Sequence, residues 1–207
     1  MQVQDMKNNP ELSSFMNKVF PFFGLIFIAF VCTITCNNVC RFAEIRMKGE
    51  NDYVIVEQGI WMGHVDKDEI SENCVRYRNN PFDSNWHVSR AFSAISQLLT
   101  VCVFILSCEL MKFNYGSERR VMLAVTCLEI AFAQGMTLLF ISSSRCMYMN
   151  VPGQFDEASL SCHYSSGFFI TVFTIPMWTL AGALSMHLPI PSEKFSLDED
   201  FNHLSLT

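Results

Sequence analysis

Four long apolar stretches, separated by polar segments, decide most of what this chain can fold into. Residues 19–36 (VFPFFGLIFIAFVCTITC) and 91–108 carry no charged side chain, residues 121–144 carry only Glu129, and residues 164–186 again carry none. A helix needs about 20 apolar residues to cross a hydrocarbon core ~30 Å thick, and stretches of this length fall within the range. Helices of a soluble bundle would each keep a charged stripe toward water, and here that stripe is missing. The spans must be helical, because a backbone in lipid has to satisfy its own hydrogen bonds. The sequence therefore predicts an all-α membrane protein, one domain over residues 1–207, with helices at about 15–36, 88–110, 120–144 and 164–187.

Composition agrees. Only 16% of the 207 residues are charged, against 50% in the hydrophobic set; soluble domains carry about 25% charged residues. With 14 Lys and Arg against 20 Asp and Glu, the net charge of −6 lacks the basic face that a nucleic-acid binder needs. The lipid bilayer is the first expected partner, and no nucleic acid is expected. The 19 Phe residues exclude a disordered coil.

The first stretch reads as a retained helix rather than a cleaved signal. Asp5 and Glu11 are mixed with Lys7 and Lys18 before it, and no small-residue cleavage site follows. Four spans put both termini on one side. The short connection MKFNYGSERR, with Lys112, Arg119 and Arg120 against the helix ends, points to the cytoplasm. Cysteines occur in both long loops but not in the short connection or the tails, which suits loops facing an oxidising compartment. Cytoplasmic termini and two extracellular loops, about 37–87 and 145–163, are the expected topology, with residues 188–207 a cytosolic tail.

The first loop is patterned. Residues 53–65, YVIVEQGIWMGHV, and 74–78, CVRYR, read as strands, and residues 41–48 as a further one. A small antiparallel sheet seated on the helix ends is the expectation. His64, Asp66, Asp68 and Glu69 lack the glycine turn and the twelfth-position Glu of a calcium loop, so they read as a solvated turn. No cofactor is implied, because the chain has no phosphate-binding glycine loop, no H-E-x-x-H helix and no G-x-S-x-G elbow.

Of the nine cysteines, Cys32, Cys102, Cys108 and Cys127 lie in apolar stretches and read as small buried hydrophobes. A Cys146–Cys162 bridge would close the second loop, and Cys74 could pair with Cys40 or Cys36. Cys36 and Cys40 also raise the alternative of a membrane thiol oxidoreductase, although their spacing is not C-x-x-C. Glu129 lies at the depth of Val101 and Cys102, with Gln97 and Gln134 about a turn or two nearer the outer face. An intramembrane acid faces a partner or a cavity. Glu129 is then either a partner or ion-pathway site, or a hydrogen-bonded tie between the second and third helices; the tie is the expected role. Pro176 should bend the fourth helix, and Ala181 and Ser185, four apart, mark a close helix contact.

The motif Gly59-Ile60-Trp61-Met62, followed by Cys74 and by Ser89-Arg90-Ala91 at the head of the second span, resembles the claudin-like superfamily. That group includes claudins, peripheral myelin protein and the stargazin-type channel subunits. The order and spacing of elements match over most of residues 19–187. Two positions depart from the pattern: His64 stands where the family has its first loop cysteine, and no Trp ends the first helix. The resemblance implies a four-helix transmembrane bundle under a small extracellular sheet, with Gly59, Ile60, Trp61, Cys74 and Arg90 as its structural motif. It implies a non-enzymatic plasma-membrane protein that is structural or adhesive, through its loops and lateral self-association. The alternative it implies is an accessory subunit of an ion channel or another membrane complex.

Overall fold

The computed structural model describes residues 10–38, 41–48, 53–66, 69–76, 84–110, 117–142 and 161–188. Four helices run antiparallel to their sequence neighbours: α1 (Pro10–Asn38), α2 (Ser84–Leu110), α3 (Ser117–Thr137) and α4 (Ser166–Met186). A 3-10 turn, Leu138–Ser142, extends α3. The helices close a ring in which α1 touches α2 and α4, and α3 touches the same two. All four contain a segment long and apolar enough to cross a membrane, Asn17–Asn38, Ser84–Cys108, Ser117–Ile141 and Ser166–Met186.

The bundle is inside-out relative to a soluble one. Large side chains such as Phe27, Leu98, Phe132 and Phe173 face outward, with Phe132 64% exposed. Thr33, Asn37, Ser93, Ser96, Gln134 and Thr171 are fully buried between the helices. Water would reverse that distribution, whereas lipid tails accept the apolar belt and small or polar residues draw helices together. This is the build of a multi-pass membrane protein.

Its interior has two halves. Toward the ends of α2 and α3 joined by residues 111–116, the core is apolar: Val19, Phe22, Ile26, Val103, Leu123, Cys127, Ile130 and Trp178. Toward the opposite end it turns polar, and there the sheet sits.

Five strands form one antiparallel sheet in the order β4-β3-β2-β1-β5, with β1 Ala43–Lys48, β2 Tyr53–Gln58, β3 Met62–Asp66, β4 Glu69–Arg76 and β5 Ser161–Tyr164. The 53–65 segment is not one strand. It folds back on itself where the Gly59 N–H donates to the Met62 carbonyl at 2.7 Å, which makes Ile60 and Trp61 the tip of a hairpin. Two apolar residues at a turn look like strand continuity in a sequence; here the turn points into protein, and Ile60 is 1% exposed. Strand β5 comes from the second long connection and pairs with β1, Ala43 opposite Tyr164 and Ile45 opposite Cys162. Both connections therefore build one surface.

The sheet joins α4 through backbone bonds. The Ser165 N–H donates to the Phe42 carbonyl at 3.3 Å, and the Gly167 N–H, in the first turn of α4, donates to the Arg41 carbonyl at 2.7 Å. Ser165 Oγ donates to Glu44 Oε1 at 3.1 Å. The helix start is satisfied by a loop carbonyl, not by its own Ser165 side chain. Helix α4 continues unbroken through Pro176.

Candidate functional site

Where the hairpin tip meets α2, three side chains stack. The Arg90 guanidinium lies 4.1 Å from the centre of the Trp61 ring and 4.4 Å from that of Trp86. A planar cation between two indoles is attracted by both ring faces while its edge stays free for hydrogen bonds. The Trp61 indole N–H donates to Ser93 Oγ at 3.0 Å. Around this stack lies a second apolar cluster of Phe42, Ala43, Ile60, Trp86 and Phe140, with Phe42 and Phe140 edge to face at 5.4 Å. Burial of these aromatic and aliphatic groups, together with the stack, seats the sheet on the helices.

The Trp61 bond continues into the bundle. Ser96 Oγ donates to the Ser93 carbonyl at 2.9 Å and accepts from Asn37 Nδ2 of α1 at 3.2 Å and from Gln134 Nε2 of α3 at 3.0 Å. The Cys36 thiol donates to the Thr33 carbonyl at 3.3 Å and lies 3.9 Å from Gln134 Oε1. Trp178 of α4 reaches the same region, its N–H donating to Thr33 Oγ1 at 2.9 Å. All four helices are tied by polar bonds at this end. In lipid such bonds hold helices together without a hydrophobic drive.

The expected site residues separate into three groups. Gly59, Ile60, Trp61 and Arg90 meet at the seat. Gln134 is fully buried in the interhelical network. Gln97 is not: it lines a groove of about 570 Å³ between α1 and α2, with Ile34, Asn38, Trp61, Met62 and Leu98.

Glu129 also departs from the expected tie. It sits twelve residues from either end of the Ser117–Ile141 span, exposed on the outward side of α3 with no hydrogen bond to the other described residues. It shares that face with Val125, Leu128 and Phe132, four before, one before and three after it, so helical periodicity carries it outward. The groove it lines, about 560 Å³, runs between α2 and α3.

Among the cysteines, Cys32, Cys36, Cys102, Cys108 and Cys127 are free thiols. Cys127 is buried, as the sequence implied, but Cys102 faces outward, because its turn of α2 points Val103 and Thr100 inward instead. Cys36 is free and fully buried, which removes it as the mate of Cys74. Cys74, on β4, is disulfide-bonded. Cys40 and Cys146 lie outside the described residues, as does the side chain of Cys162. Among the described residues no three His, Cys, Asp or Glu side chains gather as metal ligands would.

Three residues that matter were not singled out from the sequence: Trp86, Ser96 and Gly182. A signal existed for Ser96. Ser89, Ser93, Ser96 and Thr100 recur at steps of four, three and four along α2, a helical stripe of hydroxyls in an otherwise apolar span. No protein-family model matches the chain, and no curated protein matches it.

Proposed function

We propose that this chain is a non-enzymatic, claudin-like integral membrane protein that works by contact. It sits in the plasma membrane with both termini cytoplasmic and presents its sheet outside. There the sheet meets neighbouring copies or a facing surface, and copies associate laterally. The observation that carries this reading is the single five-stranded sheet built from both long connections and pinned to α2 through Arg90 and the Trp61 hairpin tip. A surface held this way is preformed, so docking a partner costs little ordering. The motif Gly59-Ile60-Trp61 and Arg90 act together here, in keeping with the role the claudin-like resemblance assigns them. Cys40–Cys74 and Cys146–Cys162 bridges belong to this reading and would staple the two loops by reducing their unfolded-state freedom.

A second reading, accessory subunit of a channel or other membrane complex, is favoured by the outward-facing Glu129 at mid-span. The redox alternative loses support, because the Cys36 thiol it requires is fully buried and engaged with Thr33.

Native mass spectrometry after mild-detergent extraction, with non-reducing peptide mapping of the same sample, tests the proposal. Homo-oligomers whose Cys40 and Cys74 peptides travel together support self-assembly. A stoichiometric foreign subunit with no homo-oligomer overturns it in favour of the accessory reading.

A further inference from the structure

We propose that the groove between α2 and α3 seats a transmembrane helix of another protein, one that carries a Lys or Arg at mid-span opposite Glu129. The inference rests on the helices lying in a bilayer and does not depend on what meets the sheet.

The groove is shaped for a helix. One wall is Phe92, Ile95 and Leu99 of α2, at steps of three and four; the other is Val125, Leu128, Glu129 and Phe132 of α3, with the same helical spacing. Each wall runs two turns, about 10 Å along the axis. Phe92 and Phe132 meet edge to face at 5.9 Å and close the groove at its end nearest the sheet. Parallel rows of side chains with a trough between them are what a third helix packs into.

The chemistry selects the occupant. Every wall residue other than Glu129 is apolar. Glu129 projects into this trough at the middle of its span, where lipid tails offer no hydrogen bond. A carboxylate removed from water without a partner is unfavourable by several kcal/mol or more, and pairing with a cation removes most of that cost. A second copy of this chain cannot supply the cation. Its spans hold Lys18, Arg119 and Arg120 at one end and Arg90 at the other, and α4 has none. Arg90 is already stacked between Trp61 and Trp86. Two copies meeting groove to groove would set Glu129 against Glu129. The complement is therefore a basic side chain on a different helix.

The test uses the full-length protein in phosphatidylcholine vesicles, labelled with a donor fluorophore at an N-terminal tag. Acceptor-labelled synthetic transmembrane peptides of Leu and Ala serve as probes, one with a single central Lys and one with Leu in its place. Energy transfer is expected at an at least tenfold lower peptide-to-lipid ratio for the Lys peptide. Glu129→Gln should abolish that preference while keeping the thermal unfolding temperature of the parent. Glu129→Lys should transfer the preference to a peptide with central Glu, a rescue that mere loss of folding cannot produce. A photo-crosslinker placed at Leu128 should capture the Lys peptide, and one at Phe173, on α4, should not. Equal transfer for the two peptides, or an unchanged preference in Glu129→Gln, overturns the proposal. Crosslinks from Leu128 to a second copy of this chain, or to lipid alone, overturn it too.

Discussion

Helix α3 has two seams of opposite character. Against α4 it is closed: a Cβ on Gly182 would lie 3.1 Å from the Ala124 carbonyl oxygen and 3.3 Å from Cys127 Cβ. Against α2 it is held on the inner side by the Ser96–Gln134 bond but stays open outward, where Val125, Leu128 and Phe132 stand away from the axis. Small residues let backbones approach, and large ones facing lipid do not. The closed seam is complete within the chain. The open one leaves a carboxyl that nothing among the described residues satisfies, so it is the seam that asks for another molecule.

That contrast can be broken at its strongest point. Gly182→Leu must push α3 from α4, and overpacking of this kind costs about 1–3 kcal/mol or more. A marked fall in thermal unfolding temperature in detergent is expected, with Gly182→Ala falling less. An unchanged midpoint for the Leu variant would mean the seam is not close-packed.

The inner side of the open seam comes next. Ser96→Ala removes the oxygen that accepts from both Asn37 and Gln134, a loss of about 1–2 kcal/mol for two interhelical bonds. Hydrogen exchange should quicken at the sheet ends of α1 and α3. If exchange is unaffected, the network does not tie those helices.

The seat of the sheet is sharpened by a double-mutant cycle. Trp61→Leu and Arg90→Gln, singly and together, should show a coupling of about 1 kcal/mol in unfolding free energy. Additive effects would show that the stack contributes packing alone. Each single variant should also raise proteolysis within the hairpins.

The smallest effect belongs to Arg120. Its guanidinium donates to the Leu188 carbonyl at 2.7 Å and the Met186 carbonyl at 3.4 Å, capping the end of α4. Arg120→Ala should cost about 0.5–1 kcal/mol and fray that helix end, seen as faster exchange at residues 185–188. No change there would leave Arg120 only the charge that the topology argument uses.

Much of the fold was legible. The four spans follow from local apolar content; α1, α2 and α3 start a few residues before the expected 15, 88 and 120, whereas α4, Ser166–Met186, is slightly shorter than the expected 164–187. Strands β1 and β2 coincide with alternating or β-branched runs. Strand β3, however, takes in His64 and Asp66 and β4 begins at Glu69, residues that read as a solvated turn, and of the 74–78 run only Cys74–Arg76 lies in β4. Gly59, Ile60, Trp61 and Arg90 were grouped in the sequence by a resemblance alone, since nothing in their spacing sets a hairpin tip against the head of α2. Strand β5 was not legible. Its four residues, Ser161–Tyr164, carry no pattern of their own and become a strand only because β1 offers an unpaired edge. The break at Gly59–Trp61 was equally hidden, because apolar turn residues are favourable only when something waits to bury them.

Hydropathy and composition are sums along the chain, and they set the number of candidate spans, the apolar belt and the chemical inventory. Which way each helix turns about its axis follows instead from packing between helices. That rotation sent Gln134 inward and Glu129 outward, set Gly182 against Ala124 and Cys127 beside the fully buried Ala181 and Ser185, and left Cys36 buried as a free thiol. These outcomes depend on contacts between segments up to 145 residues apart, such as Thr33 with Trp178, and no local pattern carries them.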